Sequence, residues 1–174
     1  MYSLTVVDST DNVIGSSTYD EIHSKGILHR FVLVYVFDKE KRFFLQKRAA
    51  NKVHGCMYAE SVCAHVRYNE KYIETAKRRL MEELDIKQTI HFQEIIKDKV
   101  YTKDKNWINH AFVKIYECII DQELQLNSSE IQEGEFLPMN KVINKFIDNP
   151  NLFVPGFRQT FPLYLQAKLQ SNSK

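Results

Sequence analysis

A chain of 174 residues, 44% hydrophobic and 26% charged, is long enough to bury one core, and its net charge of +2 gives no general reason to expect a nucleic-acid polymer as partner. No run approaches the roughly 20 apolar residues of a membrane span, and residues 1–12 lack the basic-then-apolar form of an export signal. Cys56, Cys63 and Cys118 form no CxxC pair and read as reduced thiols, so a cytoplasmic single domain over 1–174 is expected, with 170–174 a frayed tail.

In chain order, residues 4–7 read as a short strand, 8–12 as a polar turn and 13–15 as the returning strand. Residues 18–24 suit a helical turn stopped at Gly26. The run 31–37 is almost continuously apolar and rich in β-branched and aromatic side chains, the pattern of a strand buried on both faces. A charged turn over 38–41 leads to 42–46 as its antiparallel partner, then to a basic loop over 47–52 and a turn at 53–55. Further on, 90–100 and 109–119 read as strands flanking a polar loop at 103–106. Residues 122–133 are polar and loop-like, 135–137 form a last strand and 140–146 a helix. A break at 148–151 precedes a terminal helix over 157–169, where Pro162 is placed to kink or restart it.

The stretch 61–86 organises the rest. A short apolar segment carrying Cys63 and His65 is followed by a polar turn and a helix expected over 69–84, with Asn69 as its cap. Ile73, Ala76, Leu80 and Leu84 make one apolar stripe. The other face carries Glu74, Arg78, Arg79, Glu82 and Glu83, which reads either as a solvated, salt-bridged surface or, with Glu70, as oxygen ligands for a hard divalent cation.

This stretch resembles the Nudix signature, a loop-helix-loop. Its positions fall on Ala64, Glu70, Arg78, Arg79, Leu80, Glu82, Glu83, Asp85 and Ile86, where Ala64, Arg79 and Asp85 depart from the pattern. At Arg79 the signature carries a glutamate that serves as base or metal ligand. Residues 26–30, 45–48, 61–65 and 152–155 are similar to one branch of that superfamily, the type I isopentenyl-diphosphate isomerases and their hydrolase relatives. The resemblance implies an α/β fold, a mixed sheet sandwiched between helices. It also implies a divalent metal on His23, His29 and His65, and diphosphate contacts from Arg48, Lys52 and Arg79. Its isomerases pair a cysteine, matched by Cys63, with a glutamate from the strand near 107–111, where Ile108 and His110 stand instead. Gly156 stands where they carry a tryptophan.

Three functional readings follow. The favoured one is a hydrolase that cleaves a small nucleoside- or isoprenoid-type diphosphate. Its Mg2+, or alternatively Mn2+, would sit on Glu82 and Glu83, with Glu70, Glu82 or a residue outside the signature as base. The second is an isopentenyl-diphosphate isomerase using Cys63, with His110 in the place of the missing acid. The third is a binding module that keeps diphosphate affinity without turnover. A small-molecule diphosphate is the expected partner in each, and no membrane or nucleic-acid polymer is.

Overall fold

The computed structural model describes residues 2–87 and 89–171, so the expected fraying of 172–174 lies outside the described residues. The elements are β1 (Leu4–Val7), β2 (Val13–Ser17), α1 (Tyr19–Lys25), β3 (His29–Phe37), β4 (Phe43–Arg48), β5 (Tyr58–Ala59) and β6 (Val62–His65). Then come α2 (Tyr72–Leu84), β7 (Gln93–Asp104), β8 (Trp107–Ile119), β9 (Ile131–Leu137), α3 (Met139–Asp148), a 3-10 turn (Pro150–Leu152) and α4 (Pro155–Ser171).

The strands form one mixed sheet with β3 at its centre. β3 pairs in parallel with β8, from His29 beside Ala111 to Phe37 beside Ile119, and antiparallel with β6, with Leu33 opposite Cys63 and Phe31 opposite His65. Side chains alternate across the sheet. Val32, Val34 and Val36 therefore meet Ala76, Leu80 and Leu84 of α2 on one face, and Ile73 packs at the margin of that cluster. Leu33 and Tyr35 face the other way, toward Phe157, Phe161 and Tyr164 of α4 and Val142 of α3. The rings of Phe153, Phe157 and Phe161 stack in series at 4.7 and 4.6 Å. The expected sheet between helices is what forms, with β3 buried on both sides.

Several boundaries differ from expectation for local reasons. Asn69 takes a left-handed φ of 69° in the turn, so helix α2 starts later, with Lys71 as its cap residue. Glu74 accepts from the Lys71 backbone N–H at 2.9 Å, half of a capping box. Strand β4 pairs with β3 only at Phe43 opposite Phe37, and otherwise runs beside β9 and β5. That pairing lengthens the last strand back to Ile131. The expected loop at 103–106 narrows to Lys105 and Asn106 between β7 and β8. α4 continues unbroken through Pro162, which withholds a single N–H donor, and includes Gln170 and Ser171 in its last turn.

Two small features set the entrance to β3. Thr18 accepts from the Glu21 N–H to start α1, and Gly26 ends it at φ 66°. A Cβ at Gly26 would lie 2.9 Å from Ile108 Cγ2. Gly26→Ala should therefore destabilise the protein by about 1–2 kcal/mol, the cost of a left-handed non-glycine residue, and push Ile108 aside. Urea unfolding would measure it. An unchanged midpoint would mean that the loop relaxes without cost.

Candidate active site

The register of β3, β6 and β8 decides which side chains share the face beneath α4. Cys63 and His65 lie on that face of β6, and Phe31 and Leu33 on that face of β3. Because His29 sits beside Ala111, the same face of β8 carries Trp107, Asn109 and Val113. These residues, with the 48–54 loop and the start of α4, line a cavity of about 310 Å3. That volume is at the lower end of the roughly 300–1,000 Å3 usual for small-molecule pockets.

His23, His29 and His65 meet at one end of this region, their ligand nitrogens all within 4.8 Å of one another. Imidazoles sharing an ion at roughly 2.0–2.2 Å each stand within about 4.4 Å, so the cluster is close to ion-sharing scale. Two of the rings are already oriented. His23 Nδ1–H donates to the Ile108 carbonyl at 2.8 Å, and His29 Nδ1–H donates to the Ile27 carbonyl at 2.9 Å, which turns both Nε2 atoms inward. His23 Nε2 and His65 Nε2 are 2.9 Å apart, and His29 Nε2 is buried with no hydrogen-bond partner among the described residues. The trio fits a divalent ion that accepts nitrogen ligands.

Burial depresses the basicity of all three, with His29 lowered to about 4 and His65 well below the usual histidine range, where its two neighbours add to the effect. A folded pKa below the unfolded value gives stability that is present above about 6.5 and is lost as pH falls through 4. The urea midpoint should therefore fall between pH 7 and pH 4.5, and the fall should shrink in a His29→Gln variant. A midpoint flat across that window would contradict the neutral, buried cluster.

The middle of the cavity holds the Cys63 thiol. Arg48 Nη1 stands 3.6 Å from its sulfur, while Arg48 Nε donates to the Val53 carbonyl at 3.0 Å. Burial pushes the thiol up to about 12, partly offset by Arg48. The Trp107 indole lines the wall and stacks on His23 at 4.4 Å and 16°. Four cavity residues, Gln46, His54, Trp107 and Asn109, each bury a side-chain polar atom with no hydrogen-bond partner among the described residues. Unmet buried groups cost about 1–3 kcal/mol each, and together they mark a place for a polar ligand.

The acids of the central helix are engaged elsewhere. Arg79 reaches Glu83 at 2.6 Å, Glu82 at 2.9 Å and Glu130 at 3.2 Å, and Glu130 also holds Lys52 at 2.8 Å. Burial raises the Glu83 carboxyl to about 7, opposed by Arg79. Glu82 is shared between Arg78 and Arg79. Glu70 is bound by Arg78 at 2.7 Å and by the Thr75 hydroxyl at 2.6 Å, which lowers it to about 2.

The NUDIX domain family matches residues 27–157, which include the loop-helix segment and every strand of the cavity floor. The chain belongs to the NUDIX family. It is 28% identical to an isopentenyl-diphosphate Delta-isomerase of Pectobacterium atrosepticum across 98% of this chain and 97% of that one. An isopentenyl-diphosphate Delta-isomerase 2 of Photorhabdus laumondii is 30% identical over 90% of this chain and 88% of its own length. A crystal structure from Deinococcus radiodurans superposes with a TM-score of 0.70 at 18% identity, covering 84% of this chain and 89% of that one, a likeness of fold.

Within this NUDIX chain, the expected site residues divide. Cys63, His65, Arg48, Lys52, Arg79 and Glu83 line the cavity, and His23 and His29 adjoin it through His65. Glu70 and Glu82 are not among its lining residues, and both are ion-paired, Glu70 to Arg78 and Glu82 to Arg78 and Arg79. His110 lies on the opposite face of β8 from Cys63, its Nδ1 3.3 Å from the Gly26 carbonyl, so it is not brought to the thiol. Asn109 and Trp107 hold the positions facing the histidines. Three residues that sequence reasoning passed over belong to the cavity: Glu60, Glu130 and Trp107. The visible signal for Glu60 was an acid immediately before a buried apolar segment.

Proposed function

We propose that this chain interconverts isopentenyl diphosphate and its allylic isomer, moving a double bond rather than cutting a diphosphate. The observation that carries this reading is the Cys63 thiol, which faces the cavity between Arg48 and the histidine trio. A thiol has no part in water attacking phosphorus, but it can move a proton to or from carbon. The names of relatives that match nearly the whole chain support the same choice.

Arg48, Lys52 and Arg79 would hold the diphosphate through charge-assisted hydrogen bonds, with phosphate oxygens replacing Glu130 on the last two. The five-carbon chain would then lie over the apolar side chains of Phe31, Leu33, Val113 and Val154. One proton is added to the terminal alkene carbon, another leaves the carbon next to the diphosphate-bearing one, and positive charge develops between them. The Trp107 ring provides an aromatic face for that charge. A divalent ion on His23, His29 and His65 would supply a fixed positive charge two residues from Cys63, favouring the thiolate. Three imidazoles suit Mn2+ better than Mg2+, which takes oxygen ligands.

The test is a panel of isoprenoid and nucleoside diphosphates with added Mg2+ or Mn2+, scored for isomer and for phosphate on the same samples. Isomer from isopentenyl diphosphate without phosphate is expected. Phosphate release from any member with no isomer would return the chain to diphosphate hydrolysis.

A further inference from the structure

Glu60 is a carboxyl group that neither the histidine trio nor the cationic cluster uses. It is 2% exposed and lines the cavity. No salt bridge holds it among the described residues. Its carboxylate accepts from the Thr160 hydroxyl at 2.9 Å, and Thr160 lies on α4, one turn after Gly156. The Ser61 hydroxyl, bonded to the Val36 N–H and the Phe44 carbonyl, anchors the chain between Glu60 and β6. Cys63 thus enters the cavity from the sheet, while the Glu60 carboxylate is drawn up toward the helix. Both residues line the same cavity, where Arg48 Nη1 stands 3.6 Å from the Cys63 sulfur.

A glutamine would make the same hydrogen bond to Thr160 without the expense of burying an ionisable group. Isolated buried carboxyls beside a nucleophile or acid-base group inside a cavity are characteristic of reacting sites. Gly156, which lines the same cavity, adds no bulk to it, since even a Cβ there would meet nothing within 4 Å. The cavity that would hold a hydrocarbon chain is thus lined by this carboxyl itself.

We propose that Glu60 is the second proton-transferring group of this cavity, working with Cys63 in place of an acid from β8. This rests on the isomerase reading. In the direction from isopentenyl diphosphate, the π electron pair takes the proton from Sγ to form the new C–H bond, and the sulfur keeps its electron pair. Glu60 then takes a proton from the carbon beside the one bearing the diphosphate, and that C–H pair becomes the new double bond. A proton passing from the Glu60 carboxyl to the thiolate restores both groups. In the reverse direction the same two groups exchange roles.

The experiment is Glu60→Gln in the full chain loaded with Mn2+, followed by proton NMR in deuterium oxide with isopentenyl diphosphate. A fall in kcat of about 10²–10⁴-fold with KM unchanged is expected, the usual effect of losing a positioned acid-base group. Exchange of the carbon proton that Glu60 removes should be lost with it. Circular dichroism checks the fold. Should Glu60→Gln not fold, Glu60→Asp keeps the charge but withdraws it by one methylene, and a lowered kcat at unchanged KM carries the same meaning. A competent wild type whose Glu60→Gln or Glu60→Asp variant keeps its kcat overturns the role of Glu60 alone. A wild type that forms no isomer overturns the isomerase reading, and this role with it.

Discussion

Cys63→Ala should stop isomer formation, lowering kcat by about 10²–10⁴-fold, the range for a positioned acid-base group. The substitution removes one atom from a half-buried side chain opposite Leu33, so the sheet register and the histidine trio are untouched. Diphosphate binding should survive as well, because Arg48 is also held by the Val53 carbonyl and the other two cations lie elsewhere. Calorimetry with inorganic diphosphate and a rate assay on the same preparation separate the two effects. Lost turnover with intact binding is the expected pair of results. Turnover that survives the substitution would remove the thiol from the chemistry and favour attack by water.

Arg79→Met should be the most damaging change to stability, by about 3 kcal/mol or more, because breaking a buried ion pair leaves an uncompensated charge. The charge is that of Glu83, 3% exposed and raised to about 7 even with its partner present. A carboxyl whose folded pKa lies above its unfolded value stabilises the fold below the unfolded pKa, and that contribution is lost as pH rises through the folded one. Without Arg79 the loss should deepen, so the variant should approach wild-type stability near pH 5 and fall furthest behind at pH 8. Urea unfolding at the two values measures it. An equal deficit at both would mean that packing of the arginine stem, not its charge, carries the effect. Double variants with Glu83→Gln should recover much of the stability but not diphosphate affinity.

Much of the fold was legible because its signals are local and periodic. The apolar run of β3 and the stripe Ala76, Leu80, Leu84 each identify a buried face without knowledge of the partner. The start of α2 was misplaced because Asn69 is as suited to a left-handed turn as to a helix cap. Long-range pairing was harder to read. Phe43 follows Phe37 through a tight turn, yet β4 turns away to β9, whose partner residues lie about ninety positions along the chain.

The site was legible where resemblance bridged sequence distance. His23, His29 and His65 have no common spacing, and only the β3–β6 pairing and the α1 turn bring them together. On β8 an offset of one residue exchanges the two faces, and so Asn109 rather than His110 looks toward His29. Glu130 was hidden in a stretch that reads as loop. It is held in place by Asn127, whose N–H and side-chain amide bond the Glu83 and Glu82 carbonyls, contacts with no periodic signature. Composition gives no membrane-spanning helix, and none is present among the described residues.

The most direct measurement starts from both ends of the proposed reaction. Protein loaded with Mn2+ is incubated separately with isopentenyl diphosphate and with its allylic isomer, and each mixture is followed by proton and phosphorus NMR. Isomerisation at the Cys63 cavity predicts that both samples converge on one ratio of isomers, with the diphosphate signal undiminished. Two samples that never converge while inorganic phosphate or a monophosphate accumulates would contradict it.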